Sequence, residues 1–152
     1  MAEVDVQISG SHYSPYKEQF VFTRTATLSA GETAEAYWDG IPSKEWFPTV
    51  DSVYSGQLNC LVTVTDAGSG SQAVGASNVD ETNILFEHVS DTSTIAHEHT
   101  YFSHSDTNMN GTWTVSVRAS NQGIKIEWTA PSGANNTVFK LRCIALVNKI
   151  VL

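Results

Sequence analysis

Positive charge is what this sequence has least of. Its 152 residues include 8 Lys and Arg against 16 Asp and Glu, a formal net charge of −8. A nucleic-acid groove needs clustered Lys and Arg to neutralise phosphates. Here the basic residues are scattered along the chain, so nucleic acid is not an expected partner. Long hydrophobic runs are missing too: none approaches the ~20 residues of a membrane-spanning helix. The N-terminus, Met1-Ala2-Glu3-Val4-Asp5, places no basic leader before an apolar run. Neither membrane insertion nor a signal peptide is expected.

Cysteine is nearly absent. Cys60 and Cys143 both fall within apolar strand patterns, and neither belongs to a Cys-x-x-Cys motif. They read as buried thiols acting as small hydrophobes; a disulfide would require their strands to be neighbours. The signatures of catalysis are also lacking. There is no Gly-x-Ser-x-Gly elbow, and Gly68-Ser69-Gly70 has neither the Lys nor the helix of a phosphate-binding loop. The carboxylate pair Asp80-Glu81 sits in no apolar setting that would raise a pKa. An enzyme is not expected.

What is present is alternation. The stretch Asn110 to Val147 reads as three consecutive strands forming a meander. Trp113, Val115, Val117 and Ala119 alternate with polar residues, as do Ile124, Ile126 and Trp128 after a turn at Asn121-Gln122-Gly123. Beyond a polar loop from Pro131 to Asn136, Phe139, Leu141, Cys143, Ala145 and Val147 share one face. A period of two gives each strand one side to bury and one to wet. Earlier strands are expected at Val4–Ile8, Glu18–Leu28, Thr33–Trp38, Gln57–Asp66, Thr82–Ser90 and Thr94–Ser103. Ala30-Gly31-Glu32 marks a hairpin turn, and Asn110-Gly111 a tight turn. Gly40 to Gly56 has no regular period but holds Trp46, Phe47 and Tyr54, which predicts a long ordered loop with a short helix at Ser43–Phe47. Ala67 to Val79 is rich in Gly, Ser and Ala, the composition of a flexible tip or an arm that orders on a partner. Many short strands with frequent turns and no long helix predict a single all-β domain over residues 1–152, an antiparallel β-sandwich or jelly roll.

Two constellations could carry function. His97-Glu98-His99 with His104 nearby is the one metal-like cluster: on a strand, His97 and His99 share a face about 7 Å apart. A divalent ion would need His104, Asp106 or residues of neighbouring subunits as further ligands. The alternative is a polar strand face with no cofactor. The second constellation is aromatic: Trp38, Trp46, Phe47 and Tyr54, with Tyr13, Tyr16, Tyr101 and Phe102, lie at strand ends or in loops. They either seal the core or present flat faces to a partner or a sugar ring.

The segments Gly111–Val117, Gly123–Pro131 and Thr137–Arg142 resemble the closing β-meander of small tailed-bacteriophage virion proteins: tail-fibre heads, baseplate accessories and capsid decoration proteins. The resemblance covers roughly the last quarter of the chain. It implies a non-enzymatic structural component of a virion, made in the host cytoplasm, packing against other virion proteins as a homo-oligomer, with a trimer favoured. It also implies a role for His97 and His99, since some phage fibre tips gather His-x-His pairs around metal on a three-fold axis. A host-surface glycan is a further candidate partner. Two other readings stay open: a carbohydrate-binding module stacking sugars on Trp38, Trp46 and Tyr54, and a metal-dependent enzyme of cupin-like build.

Overall fold

The computed structural model describes residues 17–42, 44–46, 48–118 and 123–152. Their regular structure is entirely strand: β1 (Lys17–Leu28), β2 (Thr33–Trp38), β3 (Ser52–Asp66), β4 (Ser77–Val89), β5 (Thr92–Ser105), β6 (Thr112–Val117), β7 (Ile124–Thr129) and β8 (Thr137–Val151). The expected strand at Val4–Ile8, Tyr13, Tyr16, Phe47 and the turn residues Asn121 and Gln122 lie outside the described residues.

All eight strands join one antiparallel sheet in the order β5-β4-β3-β8-β1-β2-β7-β6. Its end strands, β5 and β6, come back alongside each other, so the sheet is nearly closed into a barrel. The antiparallel all-β expectation holds, but the pairing gives one rolled sheet in place of the two facing sheets of a sandwich or jelly roll. A sheet this wide accumulates enough right-handed twist to curl on itself. A short β1–β2 contact, Phe22 opposite Trp38 and Thr23 opposite Tyr37, keeps the sheet continuous.

Strand length sorts the pairing. The long strands β1, β3, β4, β5 and β8 have 12 to 15 residues, and β2, β6 and β7 have 6 each. Except at the short β1–β2 contact, long pairs with long and short with short, which leaves few backbone groups without a partner. The meander expected over the last three strands is therefore broken. β6 and β7 do pair, with Trp113 opposite Trp128. The other edge of β7 goes to β2, however, with Ala34 opposite Trp128 and Ala36 opposite Ile126. β8 crosses over to lie between β1 and β3, where Cys143 stands opposite Phe22 on one side and Cys60 on the other.

The inner face is the one the alternation marks. Leu58, Cys60, Val62 and Val64 of β3 and Phe139, Leu141, Cys143, Ala145 and Val147 of β8 are all buried, with Ile126 and Trp128 of β7 against them. Each large apolar side chain removed from water stabilises the barrel by roughly 1.5–3 kcal/mol. Both cysteines are buried free thiols. Burial pushes the Cys143 thiol well above its ordinary value, with the adjacent Cys60 adding to the shift.

The connecting segments depart from expectation in two places. The stretch from Ala67 to Ala76 is a folded tip, and β4 already begins at Ser77. Ser69 N and Ser71 N donate to the carbonyls of Asn135 and Gly133, and Gln72 is buried with its Nε2 on the Asn108 carbonyl. Gly68, at φ +57°, sits against the Asn136 carbonyl, where a Cβ would collide with it. These glycines permit close backbone approach instead of looseness. In the segment from Gly40, residues 44–46 are not helical: Trp46 makes a β-bridge to Ile124, and Ser52 already belongs to β3.

Candidate functional site

Burial decides between the two aromatic readings. Trp46 and Tyr54 are 5% and 4% exposed. With Phe20 and Phe86 they form a cluster closing the barrel interior, Trp46 lying 4.7 Å from Phe20 and 5.4 Å from Tyr54 between ring centroids. This corrects their assignment to a docking or sugar-stacking surface, because a buried ring offers no face. Trp38 is half-buried, and Lys44 Nζ already lies 4.2 Å over its ring. A three-ring platform of Trp38, Trp46 and Tyr54 is therefore absent. Among the described residues the exposed aromatics are Tyr101 and Phe102, at 44% and 48%, next to the histidines on β5.

The start of β5 is tied into the interior. Ser93 is buried, its Oγ 2.9 Å from His88 Nδ1 and accepting a 2.8 Å hydrogen bond from Gly123 N. From Ala96 to Ser105 every residue is exposed, on both faces of the strand. β4 covers one edge of this segment, and the register with it slips twice. Ala96 is the extra residue between Ile95 and His97, and Tyr101 the extra residue between Thr100 and Phe102. Each slip is a β-bulge, which bends the strand and interrupts its regular row of backbone groups.

His97 lies opposite Leu85 and His99 opposite Asn83, whereas Ile84 and Phe86 on β4 point inward. Cross-strand neighbours share a face, so both imidazoles project from the outer surface, as their spacing predicts. Glu98 lies opposite Ile84, and partial burial raises its carboxyl above the ordinary value. His104 does not join the pair. It stands opposite Val79, four residues along β4 from the partner of His99, about 13 Å at strand rise, and its Nε2 lies 3.1 Å from Asp106 Oδ1. No group of three or more His, Cys, Asp or Glu able to hold a metal occurs among the described residues. The three-histidine site within one chain fails on distance.

The acidic pair is likewise divided. Asp80 accepts a 2.6 Å hydrogen bond from Ser103 Oγ, and Glu81 a 3.0 Å one from Asn59 Nδ2. Consecutive strand residues point to opposite faces, so these carboxyls do not converge on one substrate. His88, buried at 3% exposure, is an internal polar bridge to Ser93.

No protein-family model and no curated protein matches the chain. Its fold is similar to part of the tailspike protein of Acinetobacter phage vB_ApiP_P1, with the whole of this chain covered at TM-score 0.47 and 15% identity. It is also similar to part of the tailspike protein of Acinetobacter baumannii phage AM24, over 86% of this chain at TM-score 0.39 and 7% identity. The chain spans about a quarter of each tailspike, 24% and 26% of their lengths.

Proposed function

We propose that the chain is a non-enzymatic structural part of a bacteriophage particle, on its tail, that works by packing against further copies of itself. The observation that carries this reading is the exposed segment of β5, Ala96 to Ser105, with Tyr101 and Phe102 on it. An uncovered strand of this length is an interaction liability in a lone barrel, and exposed aromatics are the side chains that anchor interfaces. The two bulges work against a long ladder of strand addition, so the contact is made by side chains: Tyr101 and Phe102 pack while His97 and His99 flank them. A trimer is the favoured arrangement, after the virion proteins that the C-terminal stretch resembles. The remaining surface, rich in Ser, Thr and Asn, faces outward.

Light scattering on the full chain tests it. The wild type is expected at a multiple of 16.5 kDa, and Phe102→Glu combined with Tyr101→Glu at the single-chain mass with its barrel still folded. The wild-type mass is expected to survive a chelator, because one chain presents only two imidazoles on a face. A wild type that stays at single-chain mass at high concentration sinks the proposal.

A further inference from the structure

The basic residues, scattered in sequence, are not scattered in space. Lys44 pairs with Asp39, Arg118 with Glu35 and Glu45, Lys125 with Glu127, and Lys149 with Glu18. Arg24, Lys140 and Arg142 make no ion pair among the described residues, and all three border one groove of about 370 Å³ whose floor is the outer face of β1, β8 and β3. Its floor follows from register. Lys140 stands between Thr25 of β1 and Thr63 of β3, and Arg142 between Thr23 of β1 and Leu61 of β3. The central strand thus supplies the charge, and its neighbours supply hydroxyls and one apolar side chain. Arg24, which alternates with Thr23 and Thr25 on β1, stands at the groove's border and not on its floor, its guanidinium 4.9 Å from the Tyr37 ring centroid. Gly40 borders the groove, and a Cβ there would come within 2.7 Å of Thr23 Oγ1, so the glycine keeps that hydroxyl reachable. Among the described residues no carboxylate lines the groove. Asp39, adjacent in sequence to Gly40, is held by Lys44 at 2.8 Å.

From this geometry we infer an anion-binding groove, built for a small ligand carrying at least two oxyanion groups, carboxylate or phosphate. Lys140 and Arg142 on the floor, with Arg24 at the border, have no anionic partner among the described residues and repel one another; a polyanion relieves that repulsion while gaining charge-assisted hydrogen bonds. Two acidic groups are required because the cations are spread. Lys140 and Arg142 project from the same face two residues apart, about 7 Å along the strand. The volume falls within the ordinary range for small-molecule sites, roughly 300–1,000 Å³. The threonine hydroxyls then fix orientation by donating to or accepting from the polar groups between the charges. In a chain of net charge −8 the rest of the surface repels such a ligand, which concentrates its binding here. The groove lies on β1, β3 and β8, so this inference stands apart from self-association through β5.

Calorimetric titration of the full chain at low salt tests it, with inorganic phosphate, tripolyphosphate and a tetragalacturonate as three separate probes. Saturable binding of one molecule per chain is expected for at least one of the two multivalent probes, with inorganic phosphate much weaker. Tripolyphosphate binding alone identifies phosphate as the preferred group, tetragalacturonate binding alone identifies carboxylate, and binding of both means that charge spacing decides. Lys140→Gln and Arg142→Gln are each expected to weaken the interaction about five- to tenfold. Lys125→Gln, which removes a cation of β7 that does not line the groove and is paired with Glu127, is expected to leave it unchanged. Lys140 and Arg142 are solvent-exposed, so thermal unfolding of their variants should match the wild type and keep the comparison clean. Absence of saturable binding by every probe overturns the inference, and so does equal weakening by Lys125→Gln.

Discussion

Replacing Trp46 by Ala asks whether this ring belongs to the barrel or to a surface. The ring is 5% exposed and packs on Phe20, Tyr54 and Phe86 at centroid distances of 4.7, 5.4 and 5.6 Å. Truncating a buried Trp removes its transfer free energy and opens a cavity, together about 3–5 kcal/mol. The site already borders a small apolar void of about 20 Å³ shared with Leu58, Ile84 and Ile124. The neighbours are therefore not fully tightened, and partial collapse places the expectation near the middle of that range, ~4 kcal/mol. With a urea m-value of about 2 kcal/mol/M for a domain of this size, the unfolding midpoint falls by ~2 M. The melting temperature falls by about 10 °C. Chemical denaturation followed by far-UV circular dichroism reads both the midpoint and the slope. A loss below about 1 kcal/mol, accompanied by a drop in oligomeric mass, would refute the core assignment and return Trp46 to a docking surface.

Gly68→Ala places a Cβ against the Asn136 carbonyl at a residue of φ +57°; an expected loss of about 1–3 kcal/mol should appear in the same denaturation assay. A wild-type midpoint for that variant would mean that the tip does not press on the β7–β8 loop. Asp106 accepts from the Ser77 backbone amide and then from His104, which holds its carboxyl below the ordinary 3.8. A depressed folded pKa means that its contribution to stability is fully present above pH 3.8 and fades as the pH falls through the lower folded value. A carboxyl titration by NMR should show that low value in the wild type and its return towards the ordinary value in His104→Ala and in Ser77→Pro, more strongly in the latter.

Where local pattern carries the information, the sequence is easy to read. Thr33–Trp38 and Ile124–Thr129 have the bounds that alternation predicts, and the inward faces of β3 and β8 follow directly from it. Strand order is a different matter. Nothing in the run after Trp128 says that β7 turns its free edge to β2 while β8 travels to the far side of β1; that choice rests on matching strand lengths across the whole sheet. Trp46 was hidden for a related reason: a single β-bridge to Ile124 draws a loop aromatic into the core, and a lone bridge has no periodicity. The Gly- and Ser-rich tip looked loose because glycine serves flexibility and close approach equally well, and only the partner strand tells which. His97 and His99 could be placed on one face by counting, but His104 needed an actual distance. The grooved cations were the least legible, since they come from two strands more than 100 residues apart in sequence.

The position of β8 has a consequence for how the molecule is made. Without it, the strands fall into two ribbons, β5-β4-β3 and β1-β2-β7-β6, with no backbone pairing to hold one to the other. During synthesis both ribbons exist before the strand that joins them, and the long edges of β1 and β3 wait for a partner that arrives last. Joining them closes pairs as distant as Lys17 with Asn148, so the final step carries the loop-closure entropy of nearly the whole chain. A crowded assembly site filled with identical nascent chains offers those edges wrong partners as readily as right ones. β8 therefore acts as a late lock, and a lesion in it should trap the protein as sticky halves instead of a loosened barrel.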